Sequence, residues 1–216
     1  MNDQKIEQIY YIDSKAPDAC SRINTCLSFL LEGYSGLKSS PVFVCIGSDR
    51  VTGDSLGPMI GSELKKVLKK DIPVYGTLEM PIHALNLNDT LSAIKEQHKK
   101  NIIIAIDASL GTRDHQGYIT LGKGSLSPGA GVEKDLESVG DIFITGIIGV
   151  SSRFSHLTLQ TTRLSAVMAV AEQITAGVLK TFGYRAVPQP EIPVFSACTP
   201  LSIAGASLEA NRYMVR

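Results

Sequence analysis

Tryptophan is absent from the 216-residue chain, and aromatic residues make up only 6% of it, whereas glycine occurs 19 times. A β-sandwich built around large aromatic anchors is therefore not indicated. The chain is long enough for one domain with a full hydrophobic core. Abundant glycine and small aliphatic residues are typical of closely packed layers of helices and strands, so we predict an α/β protein.

An excess of charge of either sign is also lacking, because 21 Lys and Arg balance 21 Asp and Glu. A neutral chain has no long-range field that attracts an anionic polymer or bilayer, so we predict neither a nucleic-acid nor a membrane partner. No uncharged apolar run reaches the ~18 residues of a membrane span. The N-terminus carries no apolar signal stretch, and together these absences predict a cytoplasmic protein.

Closely spaced cysteines are missing as well. The four cysteines, Cys20, Cys26, Cys45 and Cys198, lie far apart and form no CxxC motif. Zinc sites and thioredoxin-like redox sites need paired ligands at short range, so neither is predicted. We expect the thiols to be reduced.

Apolar, β-branched runs at 41–46, 101–106 and 142–150 predict strands that are buried on both faces. Shorter strands are predicted at 74–78 and 117–122, and helices at 18–34, 57–70, 88–99 and 161–182. Residues 1–17 are polar and are predicted to form an irregular N-terminal arm. Buried strands that alternate with helices favour a single domain over 1–216, a three-layer sandwich with a mostly parallel central sheet.

Two aspartates follow buried strands, where open α/β sheets collect their functional groups. Asp54 lies in the turn after the first apolar strand, and Asp107 is predicted to end the strand at 101–106. If the strands are neighbours, both carboxyl groups meet in one cleft, where they can share a proton, activate water or hold a divalent metal. The structural alternatives are a helix N-cap for Asp54 and an Asx turn for Asp107.

His83 is predicted to lie in a loop at the same edge of the sheet, close behind Glu79. It is a candidate metal ligand or proton carrier, and the alternative is an exposed loop histidine. The turn at Gly47 has neither the GxGxxG nor the GK[ST] pattern, so nucleotide binding is not predicted.

Three segments in order along the chain resemble known peptidase motifs: IGSDRVTGDSLGP at 46–58, IIAIDASL at 103–110 and SPGAGV at 127–132. They are similar to GxGNxxVTPDxLGP, IDALA and HPGSGVGN of the spore germination protease family. Nearly the whole chain resembles the YyaC-type sporulation protein family of spore-forming Bacillota. The hydrogenase maturation peptidases belong to the same wider group, with a GNxLxxDDGxG-like turn in the same place.

The resemblance implies a phosphorylase/hydrolase-like fold and an aspartate pair at Asp54 and Asp107. In the hydrogenase peptidases the equivalent acidic pair, with a histidine, binds a divalent metal. The third ligand here would be His83. The chain departs from the germination protease at Gly53, which replaces a proline, at Ser48, which replaces an asparagine, and at Ser127, which replaces a histidine.

Two hypotheses of different classes follow. In the first, the protein is a sporulation-associated endopeptidase of the forespore or spore interior that acts on a protein or peptide through Asp54 and Asp107. It requires no cofactor, or in a variant a divalent metal, and its substrate or oxyanion loop consists of Gly47, Ser48, Ser127, Gly129 and Gly131. In the second, it is a catalytically inactive relative that binds a protein partner during sporulation. Self-association through the long last helix is a further expectation.

Overall fold

A six-stranded sheet forms the centre of the computed structural model, which describes residues 9–34, 39–128 and 136–184. The strands are β1 (Ile9–Asp13), β2 (Ser39–Cys45), β3 (Val74–Tyr75), β4 (Asn101–Gly111), β5 (Tyr118–Lys123) and β6 (Ile142–Val150). Their order is β1-β5-β6-β4-β2-β3. The pairs from β6 to β3 are parallel, whereas β5 and β1 are joined antiparallel at one end. The prediction of a mostly parallel sheet is confirmed.

Five helices accompany the sheet within the described ranges. They are α1 (Ala19–Glu32), α2 (Leu56–Val67), α3 (Leu87–Gln97), α4 (Ser155–Thr161) and α5 (Leu164–Thr181). Buried side chains of α1, α2 and α5 form one core cluster with one face of the sheet. Buried side chains of α3 belong to a second cluster with the opposite face. The predicted three-layer α/β architecture is therefore confirmed.

The apolar central strands contribute to both clusters because successive side chains point to opposite faces. Phe43 in β2 and Ile104 in β4 belong to the first cluster, whereas their chain neighbours Val44 and Ala105 belong to the second. Burial on both faces explains why these strands read as continuous apolar runs in the sequence.

The predicted N-terminal arm requires a correction at its end. Residues 9–13 are not irregular: they form β1, which pairs with β5 from Ile9 opposite Gly122 to Asp13 opposite Tyr118. The side chain of Ile12 is fully buried in the first core cluster. A five-residue edge strand with one core-facing side chain has too little apolar periodicity to be recognised in a polar segment.

The predicted helix at 161–182 is also corrected, since two helices occupy this region. Thr162 and Arg163 have extended backbone conformations, with ψ angles of 136° and 129°, and separate α4 from α5. All described residues lie in one unit within 1–186. The prediction of a single domain over 1–216 stays a prediction, because 185–216 lies outside the described residues.

Two further observations concern the described residues alone. Their cysteines, Cys20, Cys26 and Cys45, are free thiols. None of their helices combines the length and the hydrophobicity needed to cross a lipid bilayer.

Candidate functional site

Asp54 is held by a tight turn between β2 and α2. The backbone of Gly47 has a φ angle of +141°, and a Cβ there would lie 2.0 Å from the carbonyl oxygen of Asp54. Glycine is required here because it tolerates the positive φ angle and has no Cβ that would clash with this oxygen. The Ser48 N–H donates to that same carbonyl oxygen at 3.1 Å. The turn is thus closed onto the short 3₁₀ helix Thr52–Ser55 that contains Asp54.

The start of α2 lies directly against the end of β2. A Cβ at Gly57 would lie 2.0 Å from the carbonyl oxygen of Ile46, and a Cβ at Gly61 would lie 2.0 Å from that of Gly76. The absent side chains let the helix backbone touch the strand ends. This contact fixes Asp54, which lies two residues before the start of α2, at the carboxyl edge of the sheet.

Asp107 reaches the same edge because β4 is longer than β2. The pairing of β2 with β4 ends at Cys45 opposite Ile106. The sequence predicts that β4 ends at Asp107. Instead, the strand continues to Gly111, and from Asp107 onwards it is paired with β6 alone. Asp107 is therefore the first residue of β4 beyond the partner strand. Its side chain is 7% exposed, and its Oδ1 accepts a hydrogen bond of 2.7 Å from the Ala108 N–H.

The two carboxyl groups interact electrostatically. Burial raises the pKa of Asp107 well above its ordinary value, and the nearby charge of Asp54 raises this pKa further. Burial also raises the pKa of Asp54, but a hydrogen bond from the Ser48 backbone and the charge of His83 lower this pKa again. The two carboxyl groups therefore share one environment and differ in how strongly it favours the neutral form.

His83 lies at the same edge as predicted. An isolated parallel bridge between Ile46 and Ile82 places it beside the turn that carries Asp54. Its backbone N–H donates to Asn86 Oδ1 at 2.8 Å, and its ring Nδ1 accepts from the Leu85 N–H at 3.3 Å. These bonds orient a half-buried imidazole that acts electrostatically on Asp54.

The predicted metal set of Asp54, Asp107 and His83 does not have the geometry of a metal centre. Among the described residues, no three or more His, Cys, Asp or Glu side chains are grouped closely enough to hold an ion. The resemblance therefore supplies a metal hypothesis that the donor groups in this part of the chain do not fit, and we derive no step through a metal.

The predicted oxyanion loop requires a correction at Gly47 and Ser48. Their backbone N–H groups are already engaged, with Gly47 donating to Ile82 at 2.8 Å and Ser48 to Asp54 at 3.1 Å. They position Asp54 and are not free for a ligand. Ser127 is exposed, and its hydroxyl lies 3.2 Å from that of Ser138. Gly129 and Gly131 lie outside the described residues, so their predicted role stays a prediction.

A hydroxyl cluster beside Asp107 was missed in the sequence. Thr145 is the partner of Asp107 in β6. Its hydroxyl lies 3.1 Å from that of Ser109 and 2.7 Å from that of Thr120. The signal that was available is Thr145 itself, a polar residue within an otherwise apolar strand. The cluster makes the sheet surface next to Asp107 polar.

The fold and the site define a mixed α/β protein with a partly buried carboxyl pair at the carboxyl edge of its parallel strands. Residues 10–177 match the family described as "Protein of unknown function (DUF1256)", and the chain belongs to this family. The chain is 42% identical over 180 residues to uncharacterized protein YyaC of Bacillus subtilis (strain 168). The aligned residues cover 83% of this chain and 86% of the relative. The resemblance to the YyaC-type family is thereby confirmed.

The chain is also similar to a solved structure. The [NiFe] hydrogenase maturation protease HycI from Thermococcus kodakarensis KOD1 is similar with a TM-score of 0.48 and 14% sequence identity. The similarity covers 73% of this chain and 99% of the protease.

Proposed function

We propose that the protein is a peptidase in which Asp54 and Asp107 act as a pair. One observation carries the proposal: carboxyl groups that are 53 positions apart in sequence lie at one edge of the sheet and interact electrostatically, and Asp107 is almost fully buried there. Burying two adjacent carboxyl groups is unfavourable. Proteins accept such a cost most often at functional sites.

The environments of the two groups suggest their roles. Asp107 is the more strongly driven towards its neutral form, so it holds the proton. Asp54 is stabilised as a carboxylate by the Ser48 backbone and by His83, so it acts as the base.

The hydrolysis proceeds in two steps. In the first, Asp54 removes a proton from a water molecule while the water oxygen bonds to the scissile carbonyl carbon, and Asp107 gives its proton to the carbonyl oxygen. In the second, the C–N bond of the tetrahedral intermediate breaks. The amine nitrogen receives the proton from Asp54, and the hydroxyl of the intermediate returns a proton to Asp107, which leaves a free acid and amine.

We propose that the substrate is a protein of the sporulating cell or the spore. This setting rests on the sequence resemblance described above. The relative from Bacillus subtilis is itself described as uncharacterized. The substrate assignment is therefore tested directly with spore material.

The test is incubation of the purified full-length protein with extracts of dormant spores, followed by mass spectrometry of new peptide termini. We expect new termini with the wild type and at least about a hundredfold fewer with Asp54→Asn or Asp107→Asn, since each removes one partner of the proton transfer. Asp71→Asn is the matched control, because this exposed residue lies between α2 and β3, outside the turn that carries Asp54. A parallel incubation with a chelator separates a metal-dependent reaction from a metal-free one.

The second candidate function is binding of a protein partner without catalysis. It is favoured by the engagement of the Gly47 and Ser48 N–H groups, the two donors of this turn that the sequence suggested for an oxyanion. Undiminished cleavage in either Asn variant would reject the aspartate pair as the catalytic groups, whereas no new termini from any extract would reject the peptidase in favour of this binding function.

A further inference from the structure

A cavity of about 630 Å³ opens beside His83. Its walls come from the end of β3, from the segment that follows it and from the start of α3. Because His83 lines the cavity together with Asp49 and Arg50 of the turn that carries Asp54, the cavity borders the candidate active site. A substrate bound at the aspartate pair therefore has room to place a neighbouring side chain here.

The wall formed by residues 77–83 is held rigidly by its own hydrogen bonds. The Thr77 N–H donates to the Met80 carbonyl at 3.1 Å, and the Met80 N–H donates to Thr77 Oγ1 at 3.2 Å. The Leu78 N–H donates to Ser62 Oγ of α2 at 2.9 Å, which ties the segment to the helix that follows Asp54. The segment is thus preorganised.

This rigid segment nevertheless exposes apolar side chains into the cavity region. Leu78 is 40% exposed and Met80 is 72% exposed, and both line the cavity. Exposed apolar groups that are clustered on a fixed surface mark a binding site more often than isolated ones do. Methionine adapts its shape to different partners, which suits a site that accepts several apolar side chains.

The charged groups at the cavity do not favour a charged occupant. Asp49 and Glu79 are balanced by Arg50 and Lys65, so their formal charges cancel. The cavity therefore has no net charge that would select a charged occupant, and the exposed side chains of Leu78 and Met80 are the contacts that favour an apolar one.

We propose that this cavity is the subsite that receives an apolar side chain, such as that of leucine or methionine, from the peptide bound at the aspartate pair. The inference rests on the proposed peptidase function and names the class of residue that the peptidase prefers next to the cleaved bond. Leu78 and Met80 are its specificity-determining residues.

The test measures binding in the full-length Asp54→Asn variant, so that hydrolysis plays no part. The probes are acetylated and amidated Gly-X-Gly peptides in which X is Leu, Met, Ser, Glu or Lys, titrated while the backbone amide resonances are followed by NMR. We expect the Leu and Met peptides to shift resonances of residues 76–83 and to bind about tenfold more tightly than the Ser, Glu and Lys peptides.

Substitutions locate the preference within the site. Leu78→Ser or Met80→Ser should weaken binding of the Leu peptide about fivefold to tenfold. Leu85→Ser should leave it unchanged, because this leucine is 78% exposed but does not line the cavity. Equal binding of all peptides, shifts confined to other residues, or the same loss with Leu85→Ser would overturn the subsite.

The binding test of the subsite and the cleavage test of the peptidase can fail independently. Cleavage without a preference for apolar residues would reject the subsite and retain the peptidase. Apolar-selective binding without cleavage by the wild type would reject the peptidase and retain the cavity as a peptide-binding site.

Discussion

The position of Asp107 depends on a difference in strand length. Since β2 stops opposite Ile106, the next residue of β4 has a strand neighbour on one side only, in β6. The turn that begins at Gly47 lies on the side of Asp107 where β4 has no strand neighbour, and this turn contributes Asp54. A strand neighbour beyond Cys45 would have occupied the space in which the two carboxyl groups meet.

The raised pKa of Asp107 has a measurable effect on stability. The folded protein binds this proton more tightly than the unfolded chain, so the stabilisation is fully present below the ordinary pKa of 3.8 and is lost as the pH rises through the raised value. Asp107→Asn should therefore weaken the decline of the free energy of unfolding with rising pH. Urea denaturation at a series of pH values measures this slope.

The control for this slope is Asp49→Asn, which removes an exposed carboxylate from the neighbouring turn. It should keep the wild-type dependence on pH. An unchanged slope in Asp107→Asn would contradict the assignment of a buried, proton-binding carboxyl group.

At the scale of elements, the contact between α2 and the strand ends leaves no room for a side chain. Gly57→Ala would place a methyl group 2.0 Å from the Ile46 carbonyl oxygen. We expect it to destabilise the protein by about 1–3 kcal/mol, because the helix must shift. The shift would also move Asp54 and lower activity. Thermal or urea unfolding, together with the cleavage assay, measures both effects.

Gly33→Ala is the matched control for this change. Gly33 has an ordinary φ of −61°, and its Cβ would be 3.4 Å from the nearest atom. It should change stability by no more than about 1 kcal/mol. A similar loss in both variants would argue against the close approach of α2.

Strand β1 is expected to be part of the stable core. Ile12→Ala empties a fully buried position and should cost about 2–5 kcal/mol. Ile9→Ala removes the same atoms from a side chain that is 40% exposed, so its cost should be smaller. Denaturant unfolding of the two variants compares them directly, and equal losses would contradict the packing of β1.

The elements that the sequence predicted are those with long or strongly apolar patterns. The runs at 41–46 and 142–150 were recognisable because strands buried on both faces contain few polar residues. Asp54 was recognisable because a turn joins a buried strand to a helix. In contrast, β1, the break at Thr162–Arg163 and the extension of β4 beyond Asp107 depend on which segments become neighbours, and local periodicity carries no such information.

The site was predictable to a similar extent. Asp54, Asp107 and His83 are predicted at one edge, and they lie at that edge, although not grouped closely enough to hold an ion. The engagement of the Gly47 N–H and the exposure of Leu78 and Met80 are tertiary properties that only coordinates reveal. Self-association through the last helix stays a prediction, although Leu164 and Met168 on α5 are 53% and 42% exposed.

At the scale of the whole molecule, the described residues cover the two faces of the sheet unequally. Of the described helices, α1, α2 and α5 contribute buried side chains to the larger core cluster on one face, whereas α3 contributes to the smaller cluster on the other. Helices that bury less apolar surface undergo local opening at a lower free energy. We therefore expect α3 to detach from the sheet more often than the helices on the opposite face.

This inequality has a consequence for access to the cavity. Hydrogen–deuterium exchange should label the amides of α3 sooner than those of α5, and equal rates would contradict the unequal packing. The N-cap of α3, Asn86, is also a cavity wall and the partner of the His83 N–H. Each transient detachment of this helix would thus release the His83 N–H from Asn86 and displace one wall of the cavity, so that the exchange rate of α3 also reports how often this side of the site rearranges.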